Sequence, residues 1–399
     1  MWKASLGIAG LAAALMLCAC SNAPIVVHEG APPTQVEVLA MLSSHQFAEL
    51  DRRFTDIHHS YKTGLITDED LRADFRVFYP TDAALEPMYA LWVQQMPKSY
   101  VAHLARGIYY KKLGLDRRGT RYISETSEAQ IKGMEDAFAL ASQELRTSMS
   151  LDDKPLLSYL HAMDITSAAG QDAETRQLLD LAVRIDPHNF VVREKYMGTL
   201  ETRWGGSVEQ MTLFLNECRK AQLSARQMQS LEALVQEDAG WNKQYVEGDP
   251  AAAVSYYLQA AQLKPAGSCK PCGPISQAAD ALLHAGRYQE AIPLYSKVLS
   301  ADPNFIVALN NRGFSELQVG DASAAVEDFT HAADLGDAYA MDQLGKMYLV
   351  GTSVALDRQK AIEWLQKAAA LGYEPSKAIL PLALNPNMKA VPEPGGPRL

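Results

Sequence analysis

Cys269-Lys270-Pro271-Cys272 sets two thiols at a spacing that three kinds of chemistry use. Such a pair can close a structural disulfide, act as a redox dithiol whose nucleophile needs a lowered pKa at a helix start, or supply half of a zinc site. The zinc reading lacks a second Cys-x-x-Cys or His-x-His group in this chain. The redox reading lacks the strands and crossover helix on which such dithiols sit. Elsewhere there is no His-Glu-x-x-His, no Gly-x-Ser-x-Gly and no Gly-x-x-x-x-Gly-Lys, so the sequence points to no catalytic site, cofactor or metal. His58-His59 is the only histidine pair, and neighbours on a helix point about 100° apart, too far to chelate one ion. Asp68-Glu69-Asp70 and Asp152-Asp153 are expected at helix starts and in solvated loops. Arg106 and Arg118 have the chemistry to bind an anion, though arginines in a helical array more often pin carbonyls or acidic side chains. Trp204-Gly205-Gly206 reads first as a packed aromatic followed by a turn, and second as a ligand platform.

The elements that carry these residues are written as a repeat. Gly286-Arg287-Tyr288 is followed 34 residues later by Gly320-Asp321-Ala322. Ala291, Tyr295, Val298 and Pro303 then stand at the offsets of Ala325, Phe329, Ala332 and Asp337. Small residues at Ala291 and Ala325 permit close helix approach, Tyr295 and Phe329 supply the large knob, and Asp302-Pro303 stops the helix. A period of this length belongs to a helical-hairpin solenoid, so the fold class is all-α. The same ruler finds copies at Gly170 with Leu179, Ala182 and Pro187, and at Gly248 with Ala253, Tyr257, Ala260 and Pro265. A weaker one begins at Gly206, with Met211, Leu215 and Cys218; the last replaces Ala182 and Ala260 and should be a buried small residue.

These residues, with Asn310-Asn311-Arg312-Gly313, resemble tetratricopeptide repeats. Leu344-Gly345, Tyr348, Gly351, Asp357, Lys360-Ala361, Trp364, Lys367-Ala368-Ala369 and Gly372 resemble a Sel-like repeat. The resemblance implies a concave groove that receives a peptide or partner helix, lined here by Ser276, Asp280, Leu283, Asn310, Phe314, Leu317 and Gln318. The family's carboxylate clamp uses lysine and asparagine; Ser276 and Asp280 stand where that clamp begins. Exposed Phe314 and Leu317 suggest an apolar contact instead, the alternative being that they pack against the neighbouring hairpin.

Location is expected from the first twenty residues. Lys3 precedes an uncharged apolar run from Ala4 to Leu17, short for a membrane span and right for a secretory signal. Leu17-Cys18-Ala19-Cys20 resembles a bacterial lipoprotein signal, with Cys20 as the acylated residue after small Ala19. Ser21 rather than aspartate implies the periplasmic face of the outer membrane; the alternative is an ordinary cleaved signal. In an oxidising periplasm Cys269 and Cys272 are expected to pair and stiffen the joint between hairpins.

The body is 48% hydrophobic and 21% charged, ordinary for a globular protein, with formal charge −10, or about −11 without Lys3. That sign disfavours nucleic acid and anionic lipid, leaving the lipid anchor as the membrane contact. The expected divisions are a signal over 1–19, a lipidated linker over 20–34, a helical N-terminal region over 35–150, divergent hairpins over 151–268, tetratricopeptide repeats over 269–336, a Sel-like repeat over 337–384 and a disordered proline-rich tail over 385–399. In the N-terminal region Phe47, Leu50, Phe54, Ile57 and Tyr61 form one apolar face, Glu49 and Arg53 can pair across a turn, and Gly64 and Thr67 to Asp70 mark a stop and a start. Ala105 to Tyr110, Arg118-Gly119, Ser124 to Ser127 and Trp204 to Ser207 together resemble a bacterial domain of unknown function, family four-zero-three-four, which brings no activity with it. The expected function is a non-enzymatic scaffold or assembly factor binding another protein or peptide. The alternatives are an immunity lipoprotein that neutralises a periplasmic toxin and an enzyme housed in the N-terminal region.

Overall fold

Serine and threonine ahead of an acid or amide set several helix starts. Thr34 with Glu37, Thr67 with Asp70, Ser127 with Gln130 and Ser224 with Gln227 each form a capping box, in which hydroxyl and side chain reciprocally accept the orphan backbone N–H groups. A computed structural model describes residues 31–120, 125–264, 273–351 and 354–385. The leader with Cys20, the Cys269 and Cys272 pair, and the tail after Asn385 lie outside the described residues. Among the described residues there are nineteen α-helices and no strand, the all-α class expected.

The chain divides into two compact units, Met1–Thr199 with Ala221–Leu223, and Leu200–Lys220 with Ser224–Leu399. The first unit contains α1 (Gln35–Ser43), α2 (Phe47–Lys62), α3 (Asp68–Asp74), α4 (Glu86–Gln95), α5 (Tyr100–Arg118), α6 (Glu128–Leu151), α7 (Leu156–Ala168), α8 (Asp172–Ile185) and α9 (Val191–Thr199). The apolar face expected on α2 is buried at Phe47, Leu50, Phe54 and Tyr61, and Phe54 meets Phe75 and Phe78 at ring separations of 5.1 and 4.6 Å. Glu49 does not pair with Arg53. It takes Arg52 at 2.7 Å, because Arg53 turns inward and donates to the Ala31 carbonyl at 2.9 Å.

The second unit contains α10 (Val208–Cys218), α11 (Ala225–Trp241), α12 (Pro250–Leu263), α13 (Pro274–His284), α14 (Tyr288–Ala301), α15 (Ile306–Val319), α16 (Ala322–Asp334), α17 (Ala338–Val350), α18 (Arg358–Ala370) and α19 (Glu374–Leu384). From α11 onward each helix packs on its successor, the arrangement of a solenoid. The repeat register holds: Ala291, Tyr295 and Val298 are buried, as are Ala325, Phe329 and Ala332, and Ala253, Tyr257 and Ala260. The large knobs need a hole, and glycine supplies it. A Cβ at Gly240 would sit 2.8 Å from the Tyr257 ring, and one at Gly313 3.3 Å from Phe329. Each ring so buried contributes roughly 2–3 kcal/mol by leaving water. Cys218 is buried, as the repeat register requires.

Candidate functional site

Four of the seven residues expected to line the repeat groove are closed off by packing. Ser276 and Leu283 on α13, and Asn310 and Phe314 on α15, are all buried. Asn310 Nδ2 donates to Asp337 Oδ1 at 2.9 Å, and Phe314 stands edge-on to Tyr288 with ring centroids 5.8 Å apart. Asp280 accepts from the Tyr295 hydroxyl at 2.7 Å and from Asn311 Nδ2 at 3.2 Å, and burial pushes its carboxyl above the ordinary range. Leu317 is half-buried against the same core, and Gln318 alone of the seven is exposed. Of the two alternatives for these residues, packing against the neighbouring helix holds for buried Phe314, while Leu317 packs there with part of its surface still exposed. On this short helix Phe314 points at the next helix rather than at solvent, one angular step from a groove-facing position.

The other singled-out residues are mostly cross-links. His58 Nε2 meets Asp152 Oδ1 at 3.0 Å while His59 points to solvent, so the pair does not converge. Asp152 also takes Lys62 Nζ at 3.1 Å and the Lys154 amide at 2.7 Å. Asp68 is not solvated. It is buried and accepts the backbone N–H groups of Phe190 and Val191 at 2.7 and 2.8 Å, capping the start of α9 from a distant part of the chain. Arg106 donates to Glu144 and to the Tyr110 hydroxyl, both at 3.1 Å, which is the pinning role. Arg118 ends α5, and its carbonyl accepts Gln130 Nε2 at 3.2 Å. Trp204 is 67% exposed, with the Arg203 guanidinium 5.9 Å from its ring, so the packed-aromatic reading fails while the turn holds. The turn belongs to Gly205, at φ 92°; Gly206, the expected turn glycine, lies where a Cβ would meet the Leu200 carbonyl at 2.0 Å. No group of three or more His, Cys, Asp or Glu among the described residues could hold a metal ion.

An open concavity lies elsewhere, within the first unit. A groove of about 980 Å³ runs between α6, α7 and α8. Helix α6 has 24 residues, against 13 in α7 and 14 in α8, so it outruns the helices beside it. Ile131, Met134, Phe138 and Leu145 of α6 recur at three- and four-residue steps and their multiples, and with Ile165 of α7 and Leu178 of α8 they line an apolar floor. Glu135, Arg146 and Glu174 also line it, and none of the three forms an ion pair among the described residues. Leu181, at its edge, is 41% exposed. None of the residues singled out from the sequence lies in this groove. The available signal was the length of α6 alone, since apolar residues lining the groove also pack on α5, Phe138 against Gly114 and Leu145 against Gly107.

Comparison with known proteins bears on the second unit. Models of the Sel1 repeat match residues 240–265 and 338–373, and a model of the tetratricopeptide repeat matches residues 276–305. The first segment takes in the end of α11 and all of α12, the second spans α17 and α18, and the third spans α13 and α14. No curated protein matches the chain. Among solved structures, a Sel1 repeat protein from Oxalobacter formigenes is 16% identical, covering 90% of this chain and 96% of its own, with a TM-score of 0.40. The protein c5321, a protective antigen of uropathogenic Escherichia coli strains displaying an SLR fold, is 15% identical over 86% of this chain and 81% of its own, with a TM-score of 0.37. YrrB, a TPR protein with an unusual peptide-binding site, is 14% identical over 49% of this chain and 93% of its own, with a TM-score of 0.31. The chain is thus an all-helical protein that carries Sel1 and tetratricopeptide repeats.

Proposed function

We propose that this protein is a binding scaffold that receives an amphipathic helical segment of a partner protein in the groove between α6, α7 and α8. The observation that carries the reading is an apolar floor rimmed by charges that form no ion pair among the described residues. Such a groove matches a helix presenting anchors at three- and four-residue steps, with a basic residue toward Glu135 and Glu174 and an acidic one toward Arg146. The Sel1 and tetratricopeptide repeats support the coarser part, since hairpin arrays of this kind serve as protein-binding surfaces. The apolar run from Ala4 to Leu17 and the Ala19-Cys20 junction support a lipid anchor at Cys20, with the body on the periplasmic side of the outer membrane.

The test is affinity capture of the full chain from cross-linked envelopes, comparing wild type with Leu178→Glu plus Leu181→Glu. One dominant protein lost in the double variant is the expected result. Capture indifferent to both substitutions would remove the groove from the account. Metabolic labelling with palmitate, lost in Cys20→Ala, checks the anchor.

A further inference from the structure

Tyr79, beyond α3 and half-buried, stands among cations. Lys111 and Lys112 Nζ lie 5.6 and 5.2 Å from its ring centroid, and the Tyr79 backbone N–H donates to the Arg76 carbonyl at 3.0 Å. The His161 ring meets it edge-on at 6.1 Å. Below the ring, Lys111 is held at 2.5 Å from Asp164 and 2.9 Å from His161 Nδ1, and Lys195 contacts the same Asp164. Arg72 pairs with Glu194 at 2.7 Å. Three cations therefore take two carboxylates, and Arg76 and Lys112 have no carboxylate partner among the described residues. This excess of positive charge sits in a chain whose formal charge is −10.

From this arrangement we infer that the face around Tyr79 is a second binding site, for a short acidic peptide segment of a partner protein. Two cations without carboxylate partners among the described residues, Lys112 over the ring and Arg76 three residues before it, offer carboxylates charge-assisted hydrogen bonds, and the ring offers cover to their methylene stems. Lys111 and Lys195, already tied to Asp164, fix the floor beneath. The length of the ligand follows from screening. At physiological salt a charge acts over about 8 Å, so a short segment meets only the basic patch, whereas a long polyanion or an anionic bilayer also meets the acidic remainder of the surface.

The site stands apart from the groove, and its test reads it directly. The probe is fluorescein-labelled hexaglutamate, titrated with the full-length protein at about 50 mM salt, where surface charges are weakly screened, and followed by polarisation. Inorganic phosphate and phosphatidylglycerol vesicles serve as competitors. Saturable binding that weakens about tenfold or more in Arg76→Glu plus Lys112→Glu, and is unchanged in Lys132→Glu on an exposed pair elsewhere, is the expected result. Absence of saturable binding, equal loss in Lys132→Glu, indifference to the double substitution, or displacement by phosphate or vesicles as effective as by unlabelled peptide would each overturn it. Groove capture and hexaglutamate binding are separate readouts, so either reading can fail alone.

Discussion

Replacing Glu316 with glutamine should stabilise the second unit, by an amount that grows as pH rises from 4.5 to about 7 and is constant above that. Glu316 lies on α15 beside Arg312, but Arg312 is committed to Asp328 by two hydrogen bonds of 2.7 Å, leaving its Nε 3.8 Å from Glu316. One guanidinium thus faces two buried carboxylates. Burial first, then the charge of Asp328, pushes Glu316 from 4.5 up to about 7. The unfolded chain ionises this group near its ordinary value, so the native state holds the proton longer. Stability is highest below that value, falls as pH rises between the two, and stays reduced above about 7. At about 1.4 kcal/mol per tenfold change in proton affinity the full rise corresponds to about 3 kcal/mol, and residual solvent at the carboxylate reduces the expectation to about 2 kcal/mol. Glutamine keeps the shape and removes the charge. The assay is urea unfolding of the full chain equilibrated between about pH 3.5 and 8.5, spanning both ionisation steps, with pulsed hydrogen exchange at one fixed labelling pH reading peptides of α15 and α16. The variant should match wild type at the acid end and exceed it by about 2 kcal/mol at the alkaline end. A difference independent of pH, or a less stable variant at alkaline pH, would refute the reasoning.

Further outcomes follow from single contacts. Gly240→Ala places a methyl 2.8 Å from the Tyr257 ring and should cost about 1–3 kcal/mol in urea unfolding of the second unit; an unchanged midpoint would show that the ring moves freely. Asp68→Ala leaves the buried N–H groups of Phe190 and Val191 without their acceptor, so unfolding of the first unit should lose about 2–3 kcal/mol, with exchange at the start of α9 rising first. Burial alone would raise Asp152, yet His58, the Lys154 amide and Lys62 outweigh it and hold the carboxyl well below the ordinary range. Its contribution is present above the unfolded value and disappears as pH falls through the folded one, so Asp152→Asn should flatten the acid side of the first unit's stability profile.

What the sequence disclosed followed from periodicity and local geometry. Tyr295 and Phe329 recur at a fixed offset because each fills a space bounded by small residues, and that demand repeats with every hairpin. The Thr67 cap was legible for the same reason, since both of its partners lie within one turn. Features set by distant chain were not. Asp68 looks like any acidic helix start, and only the fold brings Phe190 and Val191 to it. Phe314 looks groove-facing until Tyr288 is seen against its ring. The groove itself was hidden because Met134, Phe138 and Leu145 read as ordinary core positions on a long helix, and the length that leaves part of α6 uncovered matters only once α7 and α8 are placed. Arg76 and Lys112 are far apart in sequence, and only their common neighbour Tyr79 joins them.

The most direct test of the scaffold account is site-specific photo-crosslinking in intact cells, with the photoreactive residue placed at Leu181 or Ala139 in the groove and, as control, at Leu65, which is 78% exposed and lies outside the groove lining. The account predicts one protein adduct shared by both groove positions and absent at Leu65, with the crosslinked peptide mapping to an amphipathic helix. Adducts that are absent, or equal at all three positions, would contradict it.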